Sequence, residues 1–355
     1  MKTFPRNTTA LALATLASAA TCHAQSSVTV FGLLDTGYGH YRVHGGDSHT
    51  QMATDGIASS RLGLRGQEDL GGGLRASFWL EGGVSAAEPS DFSFARRSTV
   101  SLSGDWGELR MGRDYTPTYM IQSEFSGPWV TNGVGESLVY RGRATLYGNA
   151  NGGQSTHVRA SKSVSYFLPK SLGGLSGQLQ YAFSPATDGS QTGRYLGGRL
   201  TYKQGPWGVG AAYSDATRGP NAPATRPRDL QSASLGASYD FGVAALEALV
   251  VRDRVAMPRG RKTLNGWTAG LTVPVGAGEW RASYGRVGFH YPTDNARASK
   301  LALGYVHHLS KRTALYATYA YVRNSHGAAF TVGGGPTATA DHAVSGQNLG
   351  IRHSF

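Results

Sequence analysis

Apolar and polar residues alternate along this chain in segments of about 10 residues, and that period limits the folds open to it. Alternation at period two places successive side chains on opposite faces of an extended strand. In Leu74-Arg75-Ala76-Ser77-Phe78-Trp79-Leu80-Glu81 the even positions are apolar, while the odd ones carry Arg75, Ser77 and Glu81. Sixteen such segments can be traced, starting near Ser27, Ile57, Leu74, Phe94, Glu108, Val158, Gly174, Gly193, Pro206, Leu230, Gly242, Lys262, Gly278, Arg297, Lys311 and Val344. Helix periodicity is nowhere sustained.

A soluble sandwich can alternate too, so the joints between segments decide. Seven are short: 69–73, 104–107, 169–173, 204–206, 240–242, 274–278 and 309–312. Eight are long: 39–56, 85–93, 115–157, 185–192, 215–229, 253–261, 289–296 and 324–343. Sixteen antiparallel strands with both ends on one side need seven turns there and eight loops opposite. The arithmetic predicts an all-β, 16-stranded antiparallel transmembrane β-barrel with short periplasmic turns and long external loops. Hydrocarbon demands this closure, because every backbone N–H and C=O must be paired within the protein. Sixteen strands enclose a water-filled lumen, in which charged side chains at alternate positions are solvated.

The N-terminus reads as an export signal. Lys2 and Arg6 precede the apolar run Ala10–Ala20, and small residues stand before a cut after Ala24. The run is shorter than the roughly 20 residues a membrane helix needs. A lipoprotein signal acylated at Cys22 is a rival reading, weakened by Ala19 where a large aliphatic residue is usual. The expected organisation is a signal peptide at 1–24 and one barrel domain at 25–355. Removing the leader leaves 331 of 355 residues, takes away the only cysteine, and lowers the net charge from +12 to +10. Stability must then come from burial and backbone pairing rather than disulfides. Mean hydropathy is −0.29, and no later window is long and apolar enough for a helical span. At the C-terminus Leu349, Ile351, His353 and Phe355 share one face. A terminal Phe after such alternation resembles the signal read by the barrel-assembly machinery.

Several stretches together resemble the general porins of beta-proteobacteria. They are Ser27–Gly37 (SVTVFGLLDTG), Ser60–Ala76 (SRLGLRGQEDLGGGLRA), Met111–Tyr115 (MGRDY), Leu309–Thr313 (LSKRT) and Gly350–Phe355 (GIRHSF). The resemblance spans residues 25–355. It implies a homotrimer in the Gram-negative outer membrane, in contact with lipid and lipopolysaccharide. It also implies a third external loop folded inward to narrow each pore. Trp79, on the lumen face, departs from the polar residue usual in the family.

A diffusion pore needs no cofactor, metal or catalytic group; diameter and lining charge set its selectivity. Parity assigns the lining. Leu62 and Leu64 point outward, so Arg61 and Arg65 point in. Val100 and Leu102 likewise put Arg97 inside, and Leu109 and Met111 put Arg110 and Asp114 inside. Arg75 is inward near a turn. Arginine suits such a wall because it stays charged at any relevant pH. Arg61 and Arg97 also lie where the resemblance places constriction arginines. The third loop carries Glu124 and Glu136, and its Ser123–Gly127 segment is similar to the Pro-Glu-Phe-Gly-Gly eyelet of enteric porins. Acids facing the arginine wall would set a transverse field. Arg141 and Arg143 could project into the lumen or into water. A mild anion preference follows from the excess of cations.

Lys162 falls on the lipid-facing parity, consistent with snorkelling, a subunit contact or a bulge. Basic residues are dispersed, with no compact patch for nucleic acid. Three other functions compete with a general porin: a channel specific for organic acids or phosphate, a non-conducting adhesive barrel, and an outer-membrane enzyme.

Overall fold

The pairing requirement of a bilayer is met by one continuous antiparallel sheet that closes on itself. The computed structural model describes residues 27–355, leaving out 89–90, 148–156, 186, 188–190, 192, 218–228, 258–259 and 293. The leader at 1–24 lies outside the described residues.

The strands are β1 (Ser27–Val43), β2 (Ser48–Thr54), β3 (Arg61–Gly71), β4 (Leu74–Gly83), β5 (Arg97–Gly104), β6 (Gly107–Tyr115), β7 (Arg159–Phe167), β8 (Leu175–Ala182), β9 (Tyr195–Gln204), β10 (Trp207–Thr217), β11 (Asp229–Asp240), β12 (Ala245–Met257), β13 (Gly260–Val275), β14 (Gly278–His290), β15 (Arg297–His308), β16 (Thr313–Ser325) and β17 (Val344–Ser354). The upper half of β1 pairs with β2 and its lower half with β3. These two short strands therefore form one interrupted wall element, and the barrel has sixteen. The other side of β1 pairs with β17 from Leu33 opposite Ser354 to Val43 opposite Val344, which closes the ring. Reciprocal hydrogen bonds between Gly32 and Phe355 lock the lower end of that seam.

Strict alternation of exposed and buried positions, as in β10 and β16, separates an apolar outer face from the inner one. Trp106 with Tyr166, Trp207 with Tyr239, and Trp280 with Tyr305 pair beside the short turns. They form an aromatic girdle at one membrane boundary.

Three features depart from the sequence reading, and at Lys162 the structure decides between its alternatives. The first long loop, expected at 39–56, is mostly a hairpin of β1 and β2; its polar residues hid the extension. The break between β2 and β3 is held by Asp35, whose carboxylate accepts from the backbone N–H groups of Gly56, Ile57 and Ala58 and from the Tyr316 hydroxyl at 2.6 Å. The loop expected at 253–261 shrinks, since β12 runs to Met257 and β13 begins at Gly260. Lys162 marks a bulge: its φ is +52°, and the β6–β7 register slips so that Ser161 and Lys162 together oppose Arg113. Finally, the third loop contains two helices, α1 (Pro117–Phe125) and α2 (Leu138–Tyr147).

Candidate pore constriction

The third loop lies inside the barrel because its own residues and the wall are built for each other. Thr116 caps α1, its Oγ1 accepting from the Tyr119 N–H, and Pro117 supplies a first-turn residue that needs no N–H partner. The apolar side of α1 then presents Ile121 and Phe125 to the wall. Phe125 fits only because the wall is bare of side chains there. A Cβ at Gly236 would stand 2.4 Å from the Phe125 ring, and one at Gly210 2.7 Å. Further along, Gly127 meets Gly270, Trp129 meets Gly304, and Val134 meets Gly346. The loop thus follows a glycine track along the wall from β10 to β17.

Ionic and polar contacts fix it. Arg143, fully buried on α2, donates from Nε and Nη2 to both oxygens of Asp253 on β12 at 2.8 and 3.0 Å. It also reaches Gln122 on α1 and Ser234 on β11. Such a fork-to-carboxylate pair is among the stronger side-chain contacts. Lys300 on β15 donates to the Glu136 carbonyl at 2.6 Å, and Asn348 on β17 accepts from the Val134 N–H at 2.8 Å. Burial pushes the Glu136 carboxyl up, opposed by the charges of Arg141 and Lys300. Burial, with Arg143 and Arg159 nearby, pushes His157 down to about 3.

Opposite this covered wall stand β3 to β6. Arg61 opens β3 and donates to the Ser59 carbonyl at 3.3 Å. Arg65, two pleat rows further down the lumen face beyond Gly63, is exposed. Arg97 donates to Thr99 and lies 3.8 Å from Asp114. Arg110 is held between Glu108 at 2.8 Å and the buried Asp114 at 2.5 Å. The structure therefore links Arg97, Asp114, Arg110 and Glu108 in one network. Among the described residues, neither Arg61 nor Arg65 has a carboxylate partner. Arg75 is exposed at the turn end of β4.

The loop acids do not meet these arginines. Glu124 pairs with Arg199 on β9 at 3.4 Å and accepts from Thr201. Glu136 pairs with Arg141 of its own loop. The reason is the direction of packing: α1 lies along β9 to β11, which turns Glu124 toward that wall. Arg141 and Arg143 are accordingly engaged rather than free in the lumen. Sequence reasoning missed Arg199, Asp253 and Lys300. The alternation in Arg199-Leu200-Thr201 and in Val251-Arg252-Asp253 marks two of them as inward-facing; their loop partners are far away in the chain.

A family model described as Gram-negative porin matches residues 8–327. Outer membrane porin protein 32 of Delftia acidovorans is 38% identical, the alignment covering 97% of this chain and 99% of that protein. Major outer membrane protein P.IB of Neisseria meningitidis serogroup A is 28% identical, with 98% of each chain covered. Among solved structures, the anion-selective porin from Comamonas acidovorans superposes with a TM-score of 0.83 at 35% identity, covering 93% of this chain and all of that one.

Proposed function

The chain belongs to the Gram-negative porin family, and from that premise we propose that its pore favours small anions. It is an outer-membrane diffusion pore for ions and small hydrophilic solutes. In the proposed reading Arg61 and Arg65 set the preference, and Arg97 and Arg110 complete the basic wall with charges largely balanced by Asp114 and Glu108. Asp114 orders the latter two, Glu124 holds the constricting loop to the wall, and Glu136 is balanced by Arg141 within the loop while its carbonyl is held by Lys300. The observation that carries this is the charge balance: the loop acids each have a cation of their own, and Arg61 and Arg65 have no carboxylate partner among the described residues. The net field across the gap is then positive, and small anions are enriched in it. The likeness to an anion-selective porin agrees with that sign. The reading assigns the chain no catalytic step.

The decisive measurement is the reversal potential of single channels under a KCl gradient. Chloride preference is expected, and Arg61→Gln with Arg65→Gln should lower the chloride-to-potassium ratio roughly threefold. A reversal potential on the potassium side would overturn the reading.

Three partners belong to the same proposal. The outer faces of β1, β3, β5 and β6 expose Val28, Val30, Leu34, Leu62, Leu64, Val100, Leu102 and Met111 wholly or in part, an apolar surface suited to contact with two further copies in a homotrimer. The terminal Phe355 suits recognition by the assembly machinery. Outer-leaflet lipopolysaccharide suits the opposite side. There Arg252 lies in one pleat row with Asn265, Gly288 and Arg297. Trp267, Arg286, Ser299 and Arg323 form the next row. All four arginines are exposed on the lipid-facing side, and among the described residues none has a carboxylate partner. Cations are tolerated on that side only near the interface, where anionic headgroups are available to them.

A further inference from the structure

The lumen wall carries an aromatic feature that charge selectivity does not require. Trp79 lies between two guanidinium groups. The Arg97 Cζ is 4.6 Å from its ring centre and the Arg65 Cζ 5.4 Å. Phe31 adds a second ring, 4.9 Å from Trp79 at 60° and 5.4 Å from the Arg65 Cζ. Four neighbouring wall strands, β1, β3, β4 and β5, supply the four side chains. Their order is fixed. The Trp79 Nε1 donates to Glu81 Oε2 at 3.2 Å, and the other Glu81 oxygen accepts from Arg96 at 2.7 Å. The Phe31 ring has room only because position 63 is glycine; a Cβ there would stand 2.3 Å from it. Arg65 and Trp79 remain open to the lumen.

We propose that Phe31, Arg65, Trp79 and Arg97 form a transient binding site for aromatic carboxylates passing through the pore. The inference rests on the anion-favouring reading and names a solute class within it. The carboxylate of such a solute meets Arg65, whose charge is not spent on a protein acid. Its ring meets indole, phenyl and guanidinium faces, all of which stack on planar π systems. An aliphatic acid of equal charge and size gains the first contact and not the second. Aromatic contacts of this kind correspond to a preference of roughly two- to twelvefold. The site differs from a saccharide track in having two cations at the ring faces.

The test uses the purified, folded channel in planar bilayers bathed in KCl, with benzoate or cyclohexanecarboxylate added as the probe. Benzoate is expected to reduce the chloride current half-maximally at a concentration about fivefold lower than cyclohexanecarboxylate. Trp79→Leu, and separately Phe31→Leu, should bring the two acids to within twofold of each other. Equal block by the two acids in the unaltered channel would overturn the site. So would an unchanged difference in both variants, each first shown to be folded by its resistance to detergent unfolding. The reversal potential is read in the same membranes. Equal block of the unaltered channel by the two acids with chloride preference intact overturns this site alone, whereas a potassium preference overturns the reading beneath it as well.

Discussion

The meaning of a guanidinium in this lumen depends on its nearest carboxylate. Arg110 lies between Glu108 and Asp114 and its charge is largely spent, whereas Arg65 on the same wall faces water with no such partner among the described residues. Alternation alone assigns both to the inner face; it carries no information about which is compensated, because the partner lies on another strand. His157 shows the same dependence on surroundings. It is buried against Tyr140, at 4.9 Å between rings, and held neutral down to about 3. The unfolded chain protonates it near 6.5, so between those values the unfolded state binds the extra proton. Its contribution to stability is therefore complete above about pH 6.5 and is lost progressively as the pH falls toward 3. The unfolding temperature of the unaltered protein should drop more between pH 7 and pH 4 than that of His157→Phe; parallel drops would show that this histidine contributes nothing to the acid sensitivity.

At the scale of elements, most strands and the bounds of the third loop were legible, and the loop's helices and its seat on the wall were not. A strand in a bilayer must alternate, must have a minimum length and must end in a turn, so its sequence is tightly constrained. The inward loop obeys other rules. α1 is nine residues long and needs only Ile121 and Phe125 to face the wall, too short a stripe to register as helical period. The pairing of Thr116 with Pro117 is the sequence signal that marks its start. The seat for the loop is written elsewhere in the chain, in inward glycines such as Gly210 and Gly236, and in Asp253, 110 residues from its partner Arg143. Removing one member of a buried ion pair typically costs about 3–5 kcal/mol. Asp253→Ala should accordingly loosen α2 from the wall and give channels with higher and noisier conductance than the unaltered protein. A steady, unchanged conductance would mean that the glycine track alone holds the loop.

For the whole molecule, the outer surface is apolar on both sides and one side adds two rows of exposed arginines on β12, β14, β15 and β16, while net charge alone says only that the chain is basic. If the rows of Arg252, Arg297, Arg286 and Arg323 engage lipid phosphates, lipopolysaccharide should raise the unfolding temperature of the purified protein. The gain should shrink when the lipid is dephosphorylated or when the four arginines are replaced by glutamine. An equal gain from both lipids would assign the effect to acyl chains instead. The same register that reveals the rows also explains why the sequence did not: the two arginines of one row are 45 residues apart and those of the other 37, and only strand pairing brings them into line.

The seam between β1 and β17 is hydrogen-bonded like any other strand pair, with Phe355 beside Gly32 and the described start of the chain five residues further along at Ser27. Those five residues span about 17 Å, a gap that a peptide of roughly six residues bridges. The wall itself therefore has no intrinsic beginning. A circularly permuted chain, joined across the seam and opened between β10 and β11, would keep every strand pair while moving the terminal phenylalanine into the interior of the sequence. Such a chain separates two duties that the last strand now performs together, sealing the ring and presenting an end to be recognised.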